Sequence, residues 1–184
     1  MAWAEQHKEN SRERIVDCAA LLFTQNGFEN VSIDQVMRAA GLTRGAFYAH
    51  FKTKAELYQH AIIAGARQAK AVLDTADSLD AGAMAEHYLR IGDSQNPDSF
   101  CPLAFFVTDM TQRDDNIRHT YTQALKGYIT ILENMALTPD KARQAAVMMI
   151  GGLALSRAIT DDNLREDMLQ SCLAGVRSMA AGEQ

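Results

Sequence analysis

The side chains best suited to recognition chemistry lie together in a short basic and aromatic segment, residues 44–54. Arg44 carries a planar guanidinium, whose donors match the O6 and N7 acceptors of guanine. Gly45 and Ala46 are small enough to let a backbone approach base edges and thymine methyl groups. Contacts to phosphates are predicted for the polar side chains that follow, which are Tyr48, His50, Lys52 and Lys54.

Two short helices are predicted to position this segment. The first has one apolar face, formed by Ile33, Val36, Met37 and Ala40, and the spacing of Ser32 and Gln35 predicts a capping box at its start. Gly41 ends it, because glycine adopts positive φ without steric cost. Thr43 is placed to cap a second helix that runs to about Phe51. Two helices joined by a glycine turn predict a helix-turn-helix over residues 33–52.

The second helix is expected to bury one side and expose the other. Leu42, Phe47 and Phe51 are spaced to anchor it, which leaves Arg44 and its small neighbours facing outward. The alternative is a small helical bundle in which the aromatic rings form the core and the charged side chains are solvated. It explains each of these residues when they are taken one at a time. The combination of glycine turn, threonine cap, exposed Tyr and His, and a lysine at the next helix start favours DNA binding instead.

Residues from about Ser11 to Ala64 resemble the DNA-binding domain of the tetracycline-repressor (TetR) family. The resemblance runs through separate motifs in order: Arg14-Ile15-Val16, Ala19-Ala20, Leu22-Phe23, Gly27-Phe28, Ser32-Ile33, Val36, Ala39-Ala40-Gly41, Thr43, Tyr48, His50-Phe51, Lys54 and Leu57. It implies an N-terminal three-helix domain with a helix-turn-helix, followed by a helical domain that binds an effector and dimerises. The implied domains are residues 10–70 and 71–184.

The resemblance also implies roles for individual residues. It gives base-facing roles to Arg44, Gly45, Ala46 and Ala49, and backbone-phosphate roles to Ser32, Thr43, Tyr48, His50 and Lys54. This chain departs from the family at Asp34 and Ala49, which replace larger or basic side chains that some members use on DNA. Gln35 is the residue expected to compensate.

Composition predicts an all-α protein of about nine helices. The chain has 184 residues, 47% of them hydrophobic, and only three prolines. Its longest apolar run, residues 145–155, is too short to span a bilayer, so a soluble cytoplasmic protein without membrane contact is expected. Three cysteines without an export signal are expected to be reduced thiols, and no spacing predicts a metal site or a cofactor.

The net charge of −5 is unevenly distributed. Residues 1–60 carry seven basic and seven acidic side chains, whereas residues 61–184 carry eleven basic and sixteen acidic ones. The acidity therefore belongs to the second part. Local charge governs approach to phosphates, and Arg38, Arg44, Lys52 and Lys54 cluster around the motif.

Helical patterns continue to the C-terminus. Helices are predicted over about 11–26, 53–73, 80–91, 103–110, 115–135, 138–158 and from about 163, with residues 92–100 as the clearest loop. The last two are expected to form a four-helix interface with a second copy, through Met148, Gly151, Gly152, Leu155, Met168, Cys172 and Val176. Such a homodimer would read a palindromic double-stranded operator. The alternative is that the apolar helix is simply central in its own domain.

Two further predictions concern a small-molecule effector. Aromatic and sulfur side chains could line an effector cavity or could simply be core; the candidates are Phe100, Cys101, Phe105, Phe106, Met110, Tyr121, Tyr128 and Met149. Cys101 precedes Pro102 at a loop-to-helix junction, where a lowered thiol pKa would suit a redox or electrophile sensor. A buried inert cysteine is the alternative, and Cys18 and Cys172 are expected to be packing residues.

Other function classes are weakly supported. The sequence has no phosphate-binding loop, no nucleophile elbow and no zinc-protease signature, and its five histidines are scattered. No catalytic residue is predicted, although a small-molecule-binding enzyme without a recognisable motif remains an alternative. A non-specific architectural DNA protein is disfavoured by the acidic composition.

Overall fold

The structure is a computed structural model that describes residues 2–74, 80–90 and 101–181, and every regular element in these ranges is a helix. The ten helices are α1 (Ala2–Asn30), α2 (Ile33–Ala39), α3 (Arg44–Phe47), α4 (Lys54–Asp74), α5 (Ala81–Arg90), α6 (Pro102–Phe105), α7 (Val107–Met110), α8 (Asp115–Asn134), α9 (Pro139–Ser156) and α10 (Asp162–Ala180). The predicted all-α class is confirmed. The loop predicted over 92–100 lies outside the described residues.

Local signals account for most helix ends. Asp114, Thr138 and Asp161 each cap the helix that follows, because their side-chain oxygens accept from backbone N–H groups of its first turn. Gly27 breaks the regularity of α1 with φ 76° and ψ 165°, directly after the predicted end of the first helix at about residue 26. The prediction of a single helix over 103–110 is wrong. This segment divides at Phe106 into α6 and α7, and the Phe106 ring packs 4.9 Å from that of Tyr58.

The N-terminal helices form a compact core around aromatic rings. α1 packs along α4, and Phe23 lies edge-on to Tyr58 with ring centroids 4.9 Å apart. Phe47 and Phe51 are fully buried, which confirms them as anchors of the second helix of the motif. Burying an aromatic side chain stabilises the fold by roughly 1.5–3 kcal/mol, so these two rings fix the position of α3.

α4 connects this core to the C-terminal helices. It contacts α1 on one side and α6 and α8 on another. α4 and α6 approach each other closely at Gly65, since a Cβ built there would lie 2.0 Å from Cγ of Pro102. Only glycine allows α6 to pack so closely on α4.

The C-terminal bundle is built around α9, which packs against α8 and α10. Its buried positions include Ala145, Ala146, Met149 and Leu153, which follow the predicted apolar pattern. Small residues let α10 approach, because a Cβ on Gly152 would lie 2.8 Å from Sγ of Cys172. None of the described helices is long and apolar enough to cross a membrane.

This packing corrects part of the predicted dimer interface. Gly152 and Val176 are buried inside the chain and Cys172 is half-buried against Gly152, so these three contribute to the contact between α9 and α10. Met148 is likewise packed on Gly175 of the same chain. The rest of the predicted set retains exposed surface: Met148, Gly151, Leu155, Met168 and Cys172. The prediction failed for Gly152 and Val176 because an apolar helical stripe does not show whether its partner helix belongs to the same chain.

Candidate nucleic-acid interface and ligand cavity

The start of α2 is stabilised by the predicted capping box. Oγ of Ser32 accepts from the backbone N–H of Gln35 at 3.2 Å, and Oε1 of Gln35 accepts from the backbone N–H of Ser32 at 2.7 Å. Two otherwise unpaired backbone donors are thereby satisfied. Both side chains are exposed, and the Gln35 carboxamide oxygen is occupied by this cap.

The turn between α2 and α3 forms at Gly41, which has φ 64°. The backbone N–H of Leu42 donates to the Met37 carbonyl at 2.8 Å, which closes the end of α2. Nη2 of Arg14 donates to the Ala40 carbonyl at 2.6 Å and ties this turn to α1. Thr43 occupies the predicted N-cap position of α3 with an extended backbone, but its side chain forms no cap hydrogen bond.

α3 presents the predicted recognition side chains to solvent. Its regular part is shorter than predicted and ends at Phe47, and turns continue the chain to His50. Gly45 and Ala49 are exposed, Ala46 is half-buried, and the Tyr48 side chain is 59% exposed. A single helical turn therefore separates a buried aromatic side from an exposed side of small and polar residues.

Arg44 forms an ion pair with Asp34. Its Nη1 lies 2.7 Å from Oδ2 of Asp34, and both side chains remain about half exposed. The Tyr48 side chain, followed by the Asp34 carboxylate, raises the pKa of Arg44. The pair orients the guanidinium across the outer surface of α2 and α3. Because exposed ion pairs contribute little, roughly 0–1 kcal/mol, a base edge can displace Asp34 at small cost.

Lys52 and Lys54 differ in their surroundings. Lys52 is exposed, and its backbone N–H donates to Oε2 of Glu56 at 2.7 Å. Nζ of Lys54 lies 4.2 Å from the centroid of the Phe28 ring, a cation–π contact. Burial lowers the pKa of Lys54, and the nearby Glu29 carboxylate opposes this shift. A phosphate contact by Lys54 therefore requires its ammonium to leave the aromatic ring.

His50 and His60 lie at the edge of the same core. Nδ1 of His50 is buried and has no hydrogen-bond partner among the described residues, and burial lowers the pKa of His50. Nη2 of Arg12 lies 2.9 Å from Nε2 of His60, whose pKa is also lowered by burial first and then by Arg12. His50 therefore favours the neutral form, in which its imidazole carries one N–H donor and no charge.

A cavity of about 890 Å³ opens between α4, the start of α6 and α8. α4 contributes Ile63, Ala66 and Arg67, and the start of α6 contributes Cys101, Pro102 and Leu103. The remaining walls come from α8 between His119 and Asn134, and from Met135. The volume lies in the range typical of pockets for small organic ligands.

A protein-family model for bacterial regulatory proteins of the tetR family matches residues 15–61, which include α2, α3 and the start of α4. This segment of the chain is similar to regulators of the TetR family.

Curated relatives agree with this family match over the same region. Similarity to the HTH-type transcriptional regulator AcrR of Shigella flexneri reaches 43% identity over 54 residues, which is 29% of this chain and 25% of that protein. The regulator SrpR of Pseudomonas putida is 45% identical over 51 residues, 28% of this chain and 24% of the relative. The matched region thus spans about a quarter of each relative's length.

Solved structures of the family share the fold over nearly the whole chain. A TetR-family regulator from Cytophaga hutchinsonii aligns with a TM-score of 0.79 and 16% identity, covering 96% of this chain and 98% of that one. The reduced form of Escherichia coli NemR aligns with a TM-score of 0.76 and 16% identity, covering 92% and 96%. The C-terminal bundle therefore shares the fold of these structures at low sequence identity.

The cavity includes only two of the eight predicted ligand-binding residues, Cys101 and Tyr128. Phe100 lies outside the described residues. The other five do not line the cavity, and all but the half-buried Phe105 are buried: Phe105, Phe106, Met110, Tyr121 and Met149. The sequence did not distinguish the two roles, because aromatic and sulfur side chains serve core packing and ligand cavities equally well. Arg67, His119 and Gln123 were missed, since only the helix arrangement shows that α4 faces this part of α8.

Cys101 does not have the environment expected of a sensing thiol. It is almost fully buried, and the hydroxyl of Tyr88 donates to its Sγ at 2.9 Å. Burial raises the pKa of Cys101, although the Tyr88 hydrogen bond opposes this effect. The expected lowered pKa is therefore wrong, because loss of hydration outweighs the favourable position before a four-residue helix. This environment does not favour the redox alternative.

Proposed function

We propose that this chain is a sequence-specific DNA-binding transcriptional regulator, most simply a repressor that leaves a palindromic operator when a small effector binds. One observation carries the proposal. The exposed side of α3 presents Arg44, Gly45, Tyr48 and Ala49, while Phe47 behind them is completely buried. A short helix fixed in this way can enter the major groove, with its side chains at the base edges.

A homodimer would supply the second half-site contact. α9 carries an exposed apolar row in which Val147 is 72% and Leu155 51% exposed, with Gly151 between them. A Cβ on Gly151 would meet nothing within 4 Å, so this side of α9 has space for another helix. Two copies related by a two-fold axis would present their α3 helices to half-sites about 34–36 Å apart, or a multiple of that spacing.

The position of the cavity supports regulation by a ligand. Ile63, Ala66 and Arg67 belong to α4, whose first turn lies directly after the recognition segment. A ligand that favours one position of α4 would alter the distance between the α3 helices of the two copies. The resulting change in operator affinity is limited by the difference in ligand affinity for the two positions.

The DNA-reading role is tested by comparing Arg44→Ala with Lys52→Ala on an operator selected from genomic fragments. Loss of Arg44 should weaken operator binding by about 1–3 kcal/mol and relax preference at one base pair, because its bidentate contact to guanine disappears. Lys52→Ala should weaken binding to all sequences alike. It should also reduce the slope of log affinity against log salt concentration by about one unit. Fluorescence anisotropy over a salt series measures both effects. If Arg44→Ala weakened binding to every DNA sequence equally, Arg44 would not be a base-reading residue.

Dimerisation is tested with Val147→Glu. A carboxylate in the middle of the exposed α9 row would be buried against its two-fold copy, so we expect the dimer to dissociate into monomers and operator affinity to fall at least tenfold. Gln25→Glu adds the same charge at an exposed position of α1 and should leave the dimer intact. Sedimentation velocity distinguishes the two states. A Val147→Glu protein that remains dimeric would place the interface elsewhere.

A further inference from the structure

The described walls of the cavity have an unusual charge composition. They contain one guanidinium, from Arg67, and one imidazole, from His119, and no described lining residue is Asp or Glu. This contrasts with the surrounding sequence, because residues 61–184 carry sixteen acidic and eleven basic side chains. The cavity is thus a locally basic site in an acidic part of the chain.

The guanidinium of Arg67 is available for a ligand. Arg90, Arg118 and Arg177 each pair with a carboxylate, whereas no described carboxylate lies within ion-pair distance of Arg67. Its charge nevertheless reaches neighbouring groups, since it contributes to the lowered pKa of His60 on the same helix. An arginine beside an apolar cavity, without a carboxylate partner, offers its planar donors to an incoming anion.

The other lining residues divide into apolar and neutral polar groups. Ile63, Leu103 and Ile131 offer aliphatic surface, and Tyr128 offers an aromatic ring. Thr120 and Gln123 add uncharged hydrogen-bonding groups on α8. This composition suits a ligand that has an apolar body and one anionic group, because each part finds a complementary wall.

We propose that the cavity binds a small amphipathic organic anion, with its carboxylate paired to Arg67 and its hydrocarbon or aromatic body against Leu103, Tyr128 and Ile131. This inference deepens the proposed function, on which its regulatory meaning rests, but the binding itself can be measured without DNA. A cationic ligand of the same shape would meet the Arg67 charge with no described carboxylate in the walls to balance it. A neutral ligand would gain the apolar contacts alone.

Matched probes separate these possibilities. Isothermal titration calorimetry on the full chain would use 2-naphthoate with 2-naphthylmethanol and 2-naphthylmethylamine, and decanoate with decanol and decylamine below their aggregation concentrations. We expect at least one carboxylate to bind about tenfold more tightly than its alcohol and its amine, the difference that one charged hydrogen-bonded pair at a half-open site supplies. Arg67→Gln should remove most of that preference while keeping the affinity for the alcohol.

Arg143→Gln is the matched control, because Arg143 is an exposed arginine on α9 that does not line the cavity. It should bind all six probes as the unmodified chain does. Tighter binding of an amine or alcohol than of its carboxylate, an unchanged preference in Arg67→Gln, or no binding by any probe would each overturn the proposal. Carboxylate binding that requires Arg67 but does not alter operator affinity would support the anion site and contradict ligand-controlled regulation.

Discussion

Replacing Gly65 with alanine is expected to lower the free energy of unfolding by about 1–3 kcal/mol, the usual cost of overpacking a filled core. The new methyl group would lie 2.0 Å from Cγ and 2.7 Å from Cδ of Pro102, far inside van der Waals contact. The proline ring cannot rotate away as a flexible side chain would. α4 and α6 must therefore separate, which also distorts the cavity that they share.

Urea unfolding followed by circular dichroism measures this loss, and Gly127→Ala provides the control. Gly127 also lies inside a helix, but a Cβ there would meet nothing within 4 Å. This second substitution should be neutral or stabilise the protein by up to about 1 kcal/mol, because alanine is the better helix former. If Gly65→Ala were as stable as Gly127→Ala, α6 would not pack on α4 as the structure places it.

Asp109 joins the DNA-binding helices to the C-terminal bundle, and its replacement by alanine is the second large effect. Oδ2 of Asp109 accepts from the backbone N–H of Phe28 at 2.9 Å and from the Tyr58 hydroxyl at 3.1 Å. Phe28 follows the Gly27 break in α1, and Tyr58 belongs to α4. One carboxylate on α7 thus connects two elements of the N-terminal core.

Neighbouring charges reinforce this junction. Nη1 of Arg113 lies 2.7 Å from Oε1 of Glu29, and its guanidinium also stacks 4.6 Å from the Phe28 ring centroid. Burial and the Asp109 carboxylate raise the pKa of Tyr58 far above its usual value, so its hydroxyl remains a donor at all working pH values. The junction is therefore a network in which removal of the central acceptor affects several partners.

Asp109→Ala should cost about 2–4 kcal/mol of unfolding free energy, because two partly buried donors lose a charged acceptor. Asp115→Ala removes an exposed carboxylate whose one ion pair among the described residues is with Arg118 at the start of α8, and should cost less than about 1 kcal/mol. Combining Asp109→Ala with Tyr58→Phe isolates the hydroxyl contact, for which a coupling of about 0.5–3 kcal/mol is expected. Additive effects of the two substitutions would show that Tyr58 and Asp109 do not interact.

The junction also bears on regulation. If the proposed effector acts through α4, Asp109→Ala should reduce the change in operator affinity that the ligand produces, while ligand affinity itself changes less. Titration of the ligand with and without operator measures that coupling directly. An undiminished coupling would mean that the signal reaches α3 by another contact.

Sequence reasoning succeeded where the determining interactions are local. The capping box joins Ser32 and Gln35, which are three positions apart, and the turn at Gly41 requires only positive φ at one glycine. Thr138 with Pro139 defined the start of α9 in the same way. Because such signals depend on neighbours within one helical turn, they can be read directly from residue order.

Side-chain environments were harder to predict even within the motif. The sequence predicts DNA contacts for Arg44 and Lys54, but the ion pair to Asp34 and the cation–π contact with Phe28 appear only in the folded chain. Lys54 and Phe28 belong to different helical segments, and their contact depends on how α1 packs along α4. Residue type gave the chemistry of these groups but not their partners.

The sequence alone determined a helical protein with a helix-turn-helix near its start, because helix periodicity, caps and glycine turns are encoded over a few residues. Only the tertiary structure decided that Cys101 is buried, that Arg67 faces α8 and that Asp109 accepts from Phe28, 81 residues away in the chain. These features depend on which helix faces meet. Apolar faces of similar composition can pair in many ways, and the choice follows from the close-packing of the whole core.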